Sequence, residues 1–343
     1  MSRKRIGFFT RLLDDVPPAE RYRLAAAQIR HAEAHGYHTA WVAQHHFHEA
    51  EGGLPAPFPF LSYVAAQTLR IRLGTGVVTL TMEDPIRVAE DAVVTDLLSG
   101  GRLELGVGSG GTPSSFTAFG HEFAERRAIY GGHLARLRKV LGGQALPGEN
   151  RIYPSGLGLG KRIWQATFSV DGGIKAGLAG DGLLLSRTQP RPEDTPLASL
   201  ADLQLPIIEA YLDHLPKGTP PRILASRSVF VADDRSKARA FAETGLRKVA
   251  AHFQAVGHVF QGDTLDDLIA AMDTHVGTPD EVAASLAADR VLDHATEIAV
   301  QVHSVDPPHE FILRSIELFA TRVAPALGWI DPPHALRLRA AAV

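Results

Sequence analysis

The chain contains no cysteine. That excludes disulfides, thiolate nucleophiles and cysteine–zinc centres, and it suits a reducing compartment. A dominant charge is missing as well: 35 Lys and Arg stand against 38 Asp and Glu, a formal net charge of -3. Such a balance leaves no footprint for nucleic acid or an anionic membrane as a partner. No apolar run approaches the roughly 18 residues that a membrane span needs. The basic start Ser2-Arg3-Lys4-Arg5 is like that of an export signal, but the apolar run behind it, Ile6 to Phe9, is too short to complete one. The expected location is therefore cytoplasmic. Short-period repeats and low-complexity tracts are also lacking. What is present is a chain of 343 residues, 45% hydrophobic and 21% charged, an ordinary composition for one large α/β domain or two small ones.

The clearest stretch runs from Ile71 to Gly111. Ile71 to Thr79 is β-branched and apolar, interrupted by Gly74 and Gly76, and reads as a strand. Asp84 can cap a helix whose first position is Pro85, where a missing N–H costs nothing. Ile86, Ala89, Val93 and Leu97 recur at helical spacing and predict its buried face. Gly100-Gly101 stops it, and Arg102 to Val107 is a second strand running into glycines. Two strands joined by a helix make a parallel pair with a right-handed crossover.

Further strands are predicted at Ile6 to Phe9, Thr39 to Ala43, Ile163 to Thr167, Gly182 to Leu185, Ile223 to Val231 and Glu297 to Val302. Helices are predicted between them, including one from Gly173 to Leu178 and one begun by a capping box at Thr278-Pro279-Asp280-Glu281. Residues 112–122, 142–161 and 257–275 read as insertions. Eight strand–helix units predict a closed (β/α)8 barrel in a single domain over residues 1–343, with 331–343 as a peripheral tail. The surplus length lies mainly in loops after strands, which form the ligand-binding face. A doubly wound open sheet is the alternative.

With these strands placed, the chain resembles the bacterial-luciferase-like superfamily of flavin-dependent monooxygenases. Trp41-Val42-Ala43-Gln44-His45-His46-Phe47 is similar to the family's acid-His-His segment. Leu73-Gly74-Thr75-Gly76-Val77-Val78 with Asp84 to Glu90, and Asp96 to Gly108, are similar to the segments that follow. Two departures stand out: Gln44 replaces the glutamate of many relatives, and Ser109 replaces an arginine that helps hold the flavin phosphate in luciferase. The resemblance implies an FMN-dependent monooxygenase with reduced FMN as cofactor; the alternatives are an oxidoreductase that transfers hydride with the deazaflavin F420, and a non-catalytic flavin-binding protein. It also implies O2 and a small organic substrate, an NAD(P)H:flavin reductase as partner, and a homodimer.

The site residues expected on that basis lie at the ends of strands. Gly76 and Val77 would lie against the flavin ring, next to a cis peptide that the resemblance implies. Gly108 and Ser109 belong to a glycine loop that formally matches G-x-G-x-x-G. It follows the fourth strand and meets Thr112-Pro113, so a barrel-mouth loop fits better than a dinucleotide fingerprint. Gln165 and Ser186 are expected at the same rim. Ser169, Asp171, Gly172 and Gly173 lead into a helix, whose free N–H groups suit a phosphate. An ordinary helix cap is the plainer reading of the same residues. His45 is the candidate acid–base group. Arg187 could bind an anionic substrate or the flavin pyrimidine edge, or be a surface residue paired with Glu193 or Asp194. Either Ser226 or Arg227 faces the lumen. No metal site is expected; His45, His46, His48 and His303 are the residues a metal-binding alternative would use.

Overall fold

The computed structural model describes residues 3–331. The tail expected to be peripheral lies outside them, apart from Asp331. Strands are β1 (Arg5–Thr10), β2 (Thr39–Val42), β3 (Arg72–Thr75), β4 (Val78–Thr79), β5 (Leu103–Gly108), β6 (Ile163–Ala166), β7 (Gly182–Leu185), β8 (Ile223–Val231), β9 (Thr274–Gly277) and β10 (Glu297–Gln301). The helices used below are α1 (Pro18–Ala34), α2 (Pro57–Ala65), α3 (Pro85–Leu98), α4 (Pro113–Ala118), α5 (Arg126–Leu141), α6 (Val170–Leu178), α7 (Leu200–Asp213), α8 (Arg235–Ala255), α9 (Leu265–Ala271), α10 (Pro279–Ala287), α11 (Val291–His294) and α12 (His309–Leu318).

Every strand pair is parallel, and β10 hydrogen-bonds both β1 and β8, which closes the ring. The barrel has eight staves, because β3 and β4 form one stave broken at a cis Gly76–Val77 peptide, and β9 lies outside the ring. β9 pairs with the outer half of β8, from Ser228 opposite Thr274 to Val231 opposite Gly277. This (β/α)8 barrel is the fold the alternation of elements predicted. Among the described residues no helix is long and apolar enough to cross a membrane.

The lumen is packed at its centre. Trp41, Trp164, Leu184, Leu224 and Ala299 form one buried cluster, with Phe9, Val77 and Ala166 packed on it. The two indoles meet edge to face, 5.5 Å between centroids. A buried indole N–H needs an acceptor, and both find carboxylates. Trp41 Nε1 donates to Glu297 at 2.8 Å and Trp164 Nε1 to Glu104 at 2.7 Å. Glu297 and Glu104 come from the starts of β10 and β5, so the plug is pinned to the floor and any ligand must sit above it. Leu224 in the lumen settles the register of β8: Ser226 faces inward, and Arg227 points outward to Asp289 at 2.5 Å and Gln204 at 3.1 Å.

Several local readings are corrected. The insertion at 257–275 contains α9 and the first residues of β9, which cover a second apolar cluster built on Phe230, Leu246, Phe253 and Met272. The irregular segment after β5 holds α4. α6 begins at Val170 rather than Gly173. Asp84 caps α3 as expected, accepting from Ile86 N–H at 2.7 Å. Leu97, however, is 60% exposed. Each i+4 step on a helix of 3.6 residues per turn drifts by about 40°, so the series from Ala89 through Val93 leaves the buried stripe at Leu97.

Candidate active site

The mouth has an apolar floor and a charged rim. On the floor, Val77, Gly108 and Ala166 are adjacent: a Cβ at Gly108 would lie 2.7 Å from Val77 Cγ2 and 3.6 Å from Ala166 Cβ. A Cβ at Gly76 would meet the Phe9 ring at 2.6 Å. These glycines therefore keep the surface above the tryptophan plug flat. The Ser109 carbonyl accepts from Thr81 Oγ1 at 3.0 Å, which fixes the loop after β5. Above the plug, Gln301 donates to Ser226 Oγ at 2.9 Å, and its Oε1 is buried without a partner.

Beyond β6, Ser169 caps α6 by accepting from Gly172 N–H at 3.2 Å. Asp171 is exposed and pairs with Lys175 at 2.7 Å, so its charge is directed along the outside of the helix. A Cβ at Gly173 would stand 2.6 Å from the Ile207 carbonyl, so this glycine is required where α6 crosses α7. Ser186 Oγ is engaged in its own turn, accepting from Thr188 N–H at 3.2 Å. Gln165 is a correction. Trp164 and Ala166 take the lumen side of β6, and strand alternation turns Gln165 outward. Its amide donates to Asp181 at 2.9 Å and accepts from Tyr130 at 3.4 Å, in the shell under α5.

The rim is built around His45, just past β2. Arg11 Nη2 lies 3.3 Å from His45 Nε2. A guanidinium has donors only, so Nε2 accepts and the ring proton is on Nδ1. That proton faces Glu51 Oε2 at 3.5 Å. Burial and then the Arg11 charge push the imidazole down to about 4, while Glu51 pulls the other way. Glu51 is held down to about 2, first by its hydrogen bond with His45. The pair is therefore a neutral imidazole against an ionised carboxylate. Glu51 also accepts from Thr112 Oγ1 at 2.7 Å, in the loop after β5. This bond joins the histidine side of the mouth to the glycine side.

The neighbouring histidines diverge. His46 packs edge-on against Phe119, centroids 4.9 Å apart, and His48 Nε2 bonds Ser114 Oγ at 2.7 Å. His303, after β10, bonds Asp306 at 2.5 Å, and burial pushes it down to about 4. Arg187 is not a surface residue: it is 1% exposed and has no ion pair with Glu193, Asp194 or any other described carboxylate. It donates to Ser304 Oγ at 3.2 Å, lies 5.6 Å over the Phe253 ring and leaves Nη2 buried without a partner. Burial, then repulsion from Arg11, push its guanidinium down to about 9. The structure thus brings His45, Arg187, Gly76, Val77, Gly108 and Ser109 to one end of the barrel. It adds Arg11, Glu51, Asp306 and the second cis peptide, His303–Ser304, which the sequence reading did not single out. Their one signal in the sequence was position, in the segments that follow β1, β2 and β10.

A sequence profile described as luciferase-like monooxygenase matches residues 6–294. A segment of 108 residues is 41% identical to 4-hydroxyprotoasukamycin monooxygenase from Streptomyces nodosus subsp. asukaensis, covering 32% of this chain and 29% of that protein. The match thus spans under a third of that relative. The monooxygenase RslO1 from Streptomyces bottropensis superposes with a TM-score of 0.76 at 27% identity, covering 94% of this chain and 99% of that one. The oxygenating constituent of 3,6-diketocamphane monooxygenase from Pseudomonas putida, solved with FMN, has the same fold at 16% identity, with a TM-score of 0.76 and coverage of 94% and 98%. With the profile matched over most of its length, this chain belongs to the luciferase-like monooxygenase family.

Proposed function

We propose that the chain is the oxygenase component of a flavin-dependent monooxygenase. It takes reduced FMN from a separate NAD(P)H:flavin reductase and uses O2 to oxygenate a small organic substrate, in the cytoplasm. The carrying observation is the neutral His45 held between Glu51 and Arg11 above a flat apolar floor. The donor set fits a flavin: glycine-lined space at Gly76 and Gly108 for a planar ring, and orphaned polar atoms on Arg187 and Gln301 for its polar edge. Reduced flavin, when bound, supplies the two electrons for oxygen activation. The protein does the rest. The Trp41–Trp164 plug keeps water out from below. His45 receives a proton at Nε2 as Arg11 Nη2 withdraws from that lone pair, and Glu51 steadies the resulting cation across Nδ1. Arg187 offers Nη2 to an anionic edge of flavin or substrate.

In this reading Gly76, Val77, Gly108 and Ser109 lie beside the ring. Ser169, Gly172 and the start of α6 take the phosphate, with Asp171 turned away toward Lys175. Ser186 shapes the opposite wall, and Gly173 supports α6 from behind. The exposed apolar stripe Val94, Leu97 and Leu98 of α3 supports a homodimer. The test is anaerobic titration of purified protein with reduced FMN and with reduced F420, followed by reductase-coupled oxygen uptake across candidate substrates. Saturable FMN binding is expected. Selective binding of F420 moves the protein to hydride transfer, and binding of neither overturns the proposal.

A further inference from the structure

α1 ends in two histidines one turn apart, His31 and His35, and α12 packs alongside with Glu317 in its last turn. One ligand atom from each of the three lies within 4.8 Å of the others, the one such group among the described residues. The rings are 4.3 Å apart.

One imidazole already has its proton placed. His35 Nδ1 bonds the His31 carbonyl at 2.8 Å. A carbonyl only accepts, so Nδ1 carries the proton and Nε2 keeps its lone pair. His31 lies against the backbone of Leu313 on α12, and its Nε2 is buried with no hydrogen-bond partner, a polar atom left for a ligand. His35, its far nitrogen held by a carbonyl and its Nε2 presented, has the outer-shell arrangement of metal-bound histidine, and the orphaned Nε2 of His31 stands beside it. Glu317 pairs with Arg314 at 2.9 Å, and its two oxygens can serve a cation as well as the guanidinium.

We propose that His31, His35 and Glu317 bind a divalent transition-metal ion, zinc fitting best, with water completing the shell. Two imidazoles and a carboxylate favour zinc, cobalt or nickel over magnesium or calcium. Ligand atoms around tetrahedral zinc stand about 3.3 Å apart at bond lengths near 2.0–2.1 Å, so these three, all within 4.8 Å of one another, need close by about 1.5 Å at most. All three are half-buried side chains near the surface, which gives an ion a path in. The ion is a structural clip. α1 follows the first strand and α12 the last, so it ties the two ends of the ring beside the β1–β10 seam. The site is separate from the rim histidines His45, His46 and His48, whose side chains engage different partners.

The experiment uses untagged full-length protein stripped with EDTA. Zinc titration by calorimetry should give one tight site per chain, and the unfolding temperature should rise with zinc concentration, because the ion binds the folded state alone. Cobalt should give the visible bands of a low-coordinate site. His31→Ala and His35→Ala should weaken zinc at least tenfold while anaerobic FMN titration is unchanged. Glu317→Gln, which keeps the side-chain shape, carries the test if a histidine variant does not fold, and it should weaken zinc similarly. Absence of saturable zinc binding at micromolar concentration overturns the proposal, as does one ion bound with unchanged affinity by the His31→Ala/His35→Ala protein.

Discussion

His275 offers a clean measure of what burying a neutral imidazole contributes. It lies on β9, away from the mouth, with Nδ1 2.8 Å from Ser285 Oγ. Burial pushes it down to about 4; Asp289 pulls up and Arg227 pushes down, and these two face each other as an ion pair. In the unfolded chain an imidazole titrates near 6.5. Between these values the unfolded state takes up a proton that the folded state refuses. The contribution is therefore complete above about pH 6.5 and is lost as pH falls toward 4. At pH 5 the loss is about 2 kcal/mol, out of a limit of about 3.4 kcal/mol for a shift of that size. His45 and His303 have the same shift and add to the effect. Asp181 and Glu297, raised by burial, act in the opposite direction, so the whole-protein curve alone does not isolate the histidine. The comparison that does is wild type against His275→Asn, by urea unfolding followed through tryptophan fluorescence at pH 8 and pH 5. The wild-type advantage should shrink by about 2 kcal/mol across that interval. Two parallel pH profiles would refute the reasoning, because they would show that His275 is protonated equally in both states.

At the mouth, His45→Gln should lower turnover about 100-fold while leaving FMN affinity within a factor of a few, measured by coupled oxygen uptake and anaerobic titration. Glu51→Gln should lower turnover and move the acid limb of the pH–rate profile to lower pH, because the amide keeps a hydrogen bond to Nδ1 but not the charge that raises the imidazole; an unchanged rate would remove Glu51 from the site. Gly173→Ala pushes a Cβ against the Ile207 carbonyl and should cost about 1–3 kcal/mol in urea unfolding through the α6–α7 contact. A cost within 0.5 kcal/mol would mean that the helices slide without penalty. Leu97→Glu with Leu98→Glu should convert a dimer to a monomer in sedimentation, and a wild-type monomer would remove the proposed interface.

The barrel was legible because the buried staves are short, mainly apolar runs that alternate with longer segments of helical spacing. β9 was not: Thr274–Gly277 is four residues long, half polar, and exists because the outer half of β8 offers an unpaired edge. α4 was masked by Pro113 and two serines, which read as loop although proline suits the first turn of a helix. Gln165 was misplaced by parity alone. Recognising that Trp164 fills the lumen turns Gln165 outward, and that fact comes from the opposing Trp41 on another strand. Arg187 was legible as a rim position, but not its burial, which needs Phe253 of α8 packed over it. Arg11 and Glu51 were hidden for the same reason: their partner, His45, is set by the closing of the ring, and no local pattern encodes it.

The departure at position 44 shows how charge is redistributed here. Gln44 is buried and uses both ends of its amide. Nε2 donates to the Pro55 carbonyl at 2.9 Å and to Glu83 at 2.8 Å, and Oε1 accepts from Thr79 N–H at 2.7 Å. A glutamate at 44 would face a carbonyl and a carboxylate with no proton to give either, so with Glu83 in place the amide is the residue that fits. The carboxylate that His45 needs comes instead from Glu51, six residues further along the same loop. Gly52 holds it there: a Cβ at that position would stand 2.5 Å from the His45 ring. The consequence is a dependence that a glutamate fixed at the strand end would not have. When the loop is closed, His45 has Glu51 on one nitrogen and Arg11 on the other. If the loop opens, Glu51 leaves with it and Arg11 stays, because Arg11 belongs to the end of β1. Opening would thus act on the imidazole in two opposed ways: water relieves the burial that is the largest cause of its lowering, while departure of Glu51 removes the group that raises it.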